Sequence, residues 1–283
     1  MNTSFADIEK KENRKDLIIS ICVFLSGFSC FAQLYYFQPL LPDLAKDFIL
    51  SASESSFAIS FSTLGMVFGL FTTMFVADRI PRKKMIGTGL LSSSIFSVAA
   101  SFSPTFLPLI LLSAAKGFLL SGATSVSMAY IAEEVSSRNK GKIMGLYIAG
   151  NALGGMAGRV ISSWIGALYT WRIASVSIGL ICALSAILFL LFSPRSTNFM
   201  PRKESFHTLI IANLQLITSK ALIPFYLTGG LILGVFIQLP GILSDQSTFQ
   251  FPGTLYPLYL FNVYIRYFRV DCDSRTHPVL HSF

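Results

Sequence analysis

Charge is scarce in this chain and is kept to the margins of its apolar runs. Of 283 residues only 13% are Asp, Glu, Lys or Arg, whereas 53% are hydrophobic and the mean hydropathy is +0.63. A water-soluble domain carries roughly a quarter charged residues, so this composition excludes an ordinary aqueous surface. Acidic residues are missing from the interior of the first six apolar runs. Asp78, Glu133 and Glu134 stand only at their ends, which leaves no carboxylate proton carrier in that part of the chain. The three histidines, His207, His277 and His281, are too dispersed for a metal site or a catalytic dyad. Cys22, Cys30, Cys182 and Cys272 lack disulfide or metal spacing, and three of them lie in apolar runs as small hydrophobes. The glycine-rich "GNALGGMAG" (150–158) lies inside an apolar run and follows no strand, so it is not a phosphate-cradling loop. Enzyme chemistry, ATP-driven transport, a metal and a cofactor are therefore not expected. The mixed-charge opening "MNTSFADIEKKENRKD" is followed by no small-residue cleavage site, so the first run reads as a retained span.

What the chain does have is length in its apolar runs. About 20 apolar residues in a helix cross roughly 30 Å of hydrocarbon. Seven runs qualify: Leu17–Gln38, Ser55–Ala77, Lys84–Phe102, Phe106–Ala132, Gly141–Ala167, Trp171–Ser193 and Ala221–Leu243. The expected fold is an all-α membrane protein. Lysine and arginine then set its orientation, because short cytoplasmic loops collect them. Lys10, Lys11, Arg14 and Lys15 precede span 1; Arg79, Arg82 and Lys83 follow span 2; Arg138 and Lys140 follow span 4; Arg195, Arg202, Lys203 and Lys220 follow span 6. The alternate loops hold almost none, so the amino terminus is expected on the cytoplasmic side. This bias accounts for the formal +8 charge and the pI near 9.4, and no nucleic-acid partner is needed to explain them.

Four features carry candidate chemistry. The loop "VADRIPRKKM" (76–85) places Asp78 beside Arg79, Arg82 and Lys83; cations alone would suffice for orientation, so Asp78 reads as a partner for a helix amino terminus or a nearby arginine. In span 5, Gly150, Gly154 and Gly158 recur every four residues and share a face, with Gly145 and Gly155 close to it. Small residues let helix backbones approach in lipid, where apolar burial drives no association. Lys116 lies near the middle of span 4, where a cation requires a cavity or a partner. Arg159, nearer the end of span 5, either snorkels or faces the same cavity. Gln33 and Asn151 are cavity candidates, as uncharged amides that seek partners within the membrane, whereas Tyr35 and Tyr36 are open to an interfacial role.

These stretches resemble the major facilitator superfamily. Ala77, Asp78, Arg79, Arg82 and Lys83 match its cytoplasmic loop signature Gly-x-Leu-Ala-Asp-Arg-x-Gly-Arg-Lys, with Met74 and Pro81 in place of the glycines. Gly150, Gly154 and Gly158 fall on glycines of the span 5 signature of its exporters, with Gly155 at the proline and Arg159 at the final glycine. Pro39 and Pro42 match a Pro-x-x-Pro at the end of span 1, and "MAYIAEEV" and "TWR" agree in place. Ser113, four residues before Gly117, stands where that family carries an arginine. The similarity runs over roughly residues 15 to 240 and points to the arabinose-efflux-like and drug/proton antiporter branch. It implies a six-span bundle over 1–193, a cytoplasmic linker over 194–220 and a seventh span over 221–243. It also implies alternating access in a bacterial inner membrane, with Asp78, Arg79, Arg82 and Lys83 as a gating loop. The implied partners are a small organic solute, drug or sugar, and protons.

After Leu243 the apolar character breaks down, and 244–283 is expected to be an aberrant or disordered tail. Because the family has two six-span halves, a frameshifted and shortened transporter is one expectation. A non-transporting fragment or helix-packing partner is the alternative, and a half-size carrier working as a homodimer is a third.

Overall fold

The computed structural model describes residues 2–201, residue 219, and residues 222–224 and 226–231. Eight α-helices lie in the first 201 residues, and no strand occurs among the described residues. They are α1 (Asn2–Tyr35), α2 (Leu41–Asp47), α3 (Ala52–Ser55), α4 (Phe57–Val76), α5 (Arg82–Ser101), α6 (Phe106–Glu134), α7 (Lys140–Leu168) and α8 (Trp171–Phe192). The chain divides into two units, Met1–Arg202 and Lys203–Phe283. In the second unit, residues 223–224 and 226–231 are helical. The rest of the expected seventh span, the tail over 244–283 and the amphipathic stretch Phe206–Ile217 lie outside the described residues.

Each of the six long helices coincides with one apolar run, and the helix ends follow local chemistry. α1 gives way to a short 3-10 turn over Gln38–Leu40 and then to α2, with Pro39 and Pro42 in the first turns of those elements. Proline there forfeits an amide that would have no helical partner in any case. α3 opens on a capping box: the Ser51 hydroxyl accepts from the Glu54 amide at 3.2 Å, and the Glu54 carboxylate accepts from the Ser51 amide at 2.8 Å. Thr170 caps α8 by accepting from the Ile173 amide at 3.3 Å.

Among the described residues four stretches are long and apolar enough to cross a membrane by length and composition: Glu12–Asp47, Ala52–Val76, Phe106–Glu134 and Trp171–Phe192. α5 and α7, of 20 and 29 residues, are long enough but carry serine and glycine through their middles. Those small residues face inward. Ser93, Ser94, Ser97 and Ser101 are buried along α5, while Leu64, Phe68, Phe71, Leu111, Leu180 and Leu184 are exposed on other helices. An apolar exterior around a serine-lined interior reverses the arrangement of a water-soluble bundle. Such a surface suits hydrocarbon, and the hydroxyls of Ser93, Ser94 and Ser101 donate to carbonyls of their own helix.

Pairs of helices set the architecture: α1 packs on α7, α4 on α6, and α5 on both α6 and α8. The α4–α6 seam is closest at Gly117, where a Cβ would collide with the carbonyl of Ser62. Two apolar clusters fill the ends. One gathers Ile19, Val23, Leu90, Tyr130 and Phe189; the other gathers Tyr36, Phe37, Leu109, Trp171 and Ile178.

Candidate functional site

Charges meet first at the end of the bundle that carries Asp78. Arg82 opens α5 and is largely buried. Its Nη2 donates to Asp78 at 2.9 Å and to Glu133 at 3.1 Å, its Nε to Glu133 at 3.2 Å, and its Nη1 to the Ala77 carbonyl at 2.6 Å. The planar fork of arginine suits three acceptors at once. Burial pulls the guanidinium's pKa down, but the Glu133 and Asp78 carboxylates outweigh it and hold it above its ordinary value. The Lys83 ammonium donates to the Ser193 carbonyl, and its amide donates to the Ser196 hydroxyl at 3.0 Å. Arg79 is exposed. Of the four residues expected in this loop, Asp78 and Arg82 pair directly, Lys83 ties the loop to the end of α8, and Arg79 stands apart.

A second cluster at the same end has no counterpart among the residues that the sequence alone singles out. Lys15 donates to Glu134 at 2.8 Å, and Glu134 also accepts from the Thr197 hydroxyl at 2.9 Å and the Asn198 amide at 2.8 Å. Asp16, next along α1, accepts from the Ser136 hydroxyl at 2.5 Å and from Asn139 at 2.8 Å. Burial raises both carboxyls, but these hydrogen bonds, with Lys15 nearby, overcome it and leave each below its ordinary value. The adjacent acids that close α6 therefore divide their work, Glu133 binding α5 and Glu134 binding α1. The doubled "EE" of "MAYIAEEV" was the available signal.

Glycines draw α7 onto α1. A Cβ at Gly150 would stand 2.7 Å from the Phe24 carbonyl oxygen, one at Gly158 would stand 2.7 Å from the Cα of Ala32, and one at Gly154 would overlap the backbone of Phe28. The four-residue repeat on α7 thus meets a four-residue repeat on α1, Phe24, Phe28 and Ala32. Gly155 faces the Tyr35 ring, while a Cβ at Gly145 would meet nothing within 4 Å. Asn151 is half-buried, and its Oδ1 lies against Gly27, close to Tyr147.

Beyond that seam, the residues Tyr35-Tyr36-Phe37-Gln38 lie between two buried cations. Arg159 of α7, only 1% exposed, donates through Nε to Gln38 and through Nη1 to the Gly155 carbonyl at 3.4 Å, and its guanidinium covers the Tyr35 ring at 4.4 Å. It does not snorkel. Lys116 of α6, also 1% exposed, holds its ammonium 4.5 Å from the Tyr36 ring centroid and 4.8 Å from that of Phe37. Among the described residues it has no hydrogen-bond partner. Removing an ammonium from water costs several kcal/mol even after relaxation. A desolvated ring face returns about 2 kcal/mol, and the negative end of a helix such as α1 returns up to about 2 kcal/mol. The rings and the helix end work against that cost at Lys116. Tyr35 and Tyr36 are buried and form no interfacial belt.

Gln33 is fully buried and its amide is engaged within the bundle. Its Nε2 donates to Ser94 at 3.2 Å and Ser29 at 3.4 Å, and its Oε1 accepts from Ser97 at 3.3 Å. It ties α1 to α5. At the Pro39 end an open cleft of about 420 Å³ is lined by Asp43, Lys46, Asp47, Gly166, Tyr169, Thr170, Trp171 and Arg172. Asp47 accepts there from Trp171 at 3.0 Å and from Arg172 at 2.9 Å.

Comparison with known proteins agrees with this arrangement. The family model of the Major Facilitator Superfamily matches residues 20–266. An uncharacterized transporter of Buchnera aphidicola subsp. Schizaphis graminum is 35% identical over 237 residues, 84% of this chain and 57% of its own length. The inner membrane transport protein YnfM of Escherichia coli is 35% identical over 222 residues, 78% of this chain and 53% of its own. The chain thus spans little more than half the length of these relatives. Among solved structures, a D-xylose-proton symporter superposes with a TM-score of 0.61 at 16% identity, over 88% of this chain and 65% of that one. That likeness speaks for the fold alone. With its apolar exterior, its six long helices and these relatives, the chain is a membrane-embedded helical bundle that belongs to the Major Facilitator Superfamily.

Proposed function

We propose that this protein is a secondary active transporter that moves a small organic solute across the bacterial inner membrane by alternating access. The observation that carries this reading is a lipid-facing shell around an interior holding two buried cations, Lys116 and Arg159, on either side of the end of α1. A bundle needed only to pack has little use for cations buried away from its charged end, because polar groups in hydrocarbon are costly and mark solute pathways. Residues 1–193 serve as one rocking half, residues 194–220 as the cytoplasmic linker and residues 221–243 as a seventh span. The amino terminus faces the cytoplasm, which places the Asp78, Arg79, Arg82 and Lys83 loop at the inner gate. Efflux driven by proton exchange is the direction supported by the glycines of α7 on the exporter-like positions.

The test is accumulation of a fluorescent dye or radiolabelled arabinose in cells expressing the chain, with and without a proton-gradient collapser. Reduced accumulation that the collapser abolishes supports proton-coupled efflux. Unchanged accumulation of every solute assigns the chain to the alternative role of a non-transporting helix-packing partner. Crosslinking during active transport separates a homodimer from a single copy.

A further inference from the structure

We infer that Lys116 is the anion-recognition residue of the solute site and that the solute is a small organic anion carrying a carboxylate. This rests on the transporter reading above and names the class of its solute. The contrast with the other cations of the bundle is what points to it. Arg82 is paired with Asp78 and Glu133, Lys15 with Glu134, and Arg172 with Asp47, each with an N···O separation of 3.1 Å or less. Lys116 is more deeply buried than any of these three, yet among the described residues it makes no ion pair and no hydrogen bond. Arg82, the one of these three that is largely buried, has two carboxylates at hand. At Lys116 no described residue supplies one.

The surroundings fit a carboxylate arriving from outside. Among the described residues the buried Ser113 hydroxyl has no hydrogen-bond partner, and the Tyr36 hydroxyl, at the far edge of the ring beneath the ammonium, meets only other hydroxyls. Ser113 precedes Lys116 by three residues and shares its face of α6. Ser175 of α8, with Ser97 of α5, lies beside the Tyr36 hydroxyl. One ammonium and three hydroxyls can all donate, which matches a carboxylate, an acceptor with about four lone-pair sites. The ring faces of Tyr36 and Phe37 supply an apolar wall for the body of the solute. Arg159, on the other side of the same turn, adds positive potential. In this conformation the ammonium is closed off, and alternating access opens the site to each side in turn.

The experiment is a thermal-shift titration of the purified full chain in detergent at constant ionic strength. Sodium benzoate is the carboxylate probe, benzamide its neutral isostere and inorganic phosphate a second anion. Benzoate is expected to stabilise the wild-type chain and Lys116→Arg, with benzamide inert. Lys116→Gln is expected to raise the half-saturating benzoate concentration about tenfold or more, as loss of a charged hydrogen-bond donor does. A response to phosphate without one to benzoate overturns the carboxylate assignment. Equal responses to benzoate and benzamide, or an unaltered response in Lys116→Gln, overturn the proposal outright. If Lys116→Gln fails to fold, the wild-type comparison of benzoate with benzamide still decides. Liposomes separate the two layers of the reading. Arabinose flux without benzoate binding overturns the anion class and leaves the transporter standing, whereas benzoate binding without flux of any solute keeps the anion site and overturns the transporter.

Discussion

Arg82 and Glu133, 51 residues apart in sequence, meet at 3.1 Å and join the start of α5 to the end of α6. The same guanidinium reaches Asp78 at 2.9 Å, so a loop and two helix ends hang on one side chain. Its side chain is 9% exposed while that of Asp78 is 41% exposed, and this difference ranks the partners. Arg82→Lys is expected to destabilise the bundle by about 1–3 kcal/mol, because an ammonium cannot hold the fork and leaves acceptors unfilled. Asp78→Asn is expected to lose less than about 1 kcal/mol of stability, as exposed ion pairs do, while impairing transport if the loop is the gate. Unfolding in mixed micelles measures the first, and efflux the second.

The glycine seam predicts a position-dependent response to one added methyl group. Gly154→Ala and Gly158→Ala push a Cβ into the backbone of α1 and are expected to destabilise by about 1–3 kcal/mol, as overpacking does. Gly145→Ala, where nothing lies within 4 Å, is expected to be neutral or to gain up to about 1 kcal/mol from helix propensity. Melting curves of the three variants side by side check the contrast.

Acid should loosen the end of the bundle that carries Asp78. Asp16 and Glu134 both have folded pKa values below their ordinary values of 3.8 and 4.5. A depressed carboxyl contributes stability that is fully present above its unfolded pKa and is lost as pH falls through its folded pKa. The wild-type melting temperature is therefore expected to fall as pH drops below about 4, with a shallower fall in Asp16→Asn and in Glu134→Gln. Both variants are also expected to be less stable at neutral pH.

Lys116→Met is expected to raise stability by about 1–4 kcal/mol, since an apolar side chain of similar length replaces a buried charge that has no ion pair among the described residues. Solute transport should disappear in the same variant. A destabilised Lys116→Met would mean that the two aromatic rings and the end of α1 satisfy the ammonium fully.

Ile49 has φ 55° and is 93% exposed just after α2. A β-branched residue in the left-handed region costs roughly 1–2 kcal/mol, so Ile49→Gly is expected to be neutral or mildly stabilising by thermal unfolding.

The fold could be read from the sequence because lipid leaves few alternatives: a run such as Phe106–Ala132 has no other way to satisfy its backbone, and α6 occupies it almost residue for residue. The α1–α7 contact was half visible. The glycines of α7 recur every four residues, but their partners Phe24, Phe28 and Ala32 are not glycines, and only packing shows that their backbones are the surface met. At the candidate site, the type of residue marked Lys116 and Arg159, since cations in apolar runs stand out. Gln33 was marked as an uncharged amide seeking partners, and its partners are Ser29, Ser94 and Ser97. The pairing of Lys15 with Glu134 across 119 residues was invisible, because nothing local to either residue specifies it.

The central claim is that these helices cross a membrane with the amino terminus and the Asp78 loop on the cytoplasmic face. Its most direct test labels single cysteines with a membrane-impermeant maleimide in intact cells, in a background where Cys272 is replaced by serine and the buried Cys22, Cys30 and Cys182 remain. Ser53→Cys, ahead of α4, is predicted to label in intact cells, whereas Arg79→Cys and Lys140→Cys are predicted to label only after permeabilisation. The reverse pattern, or equal labelling of all three in intact cells, would contradict the account.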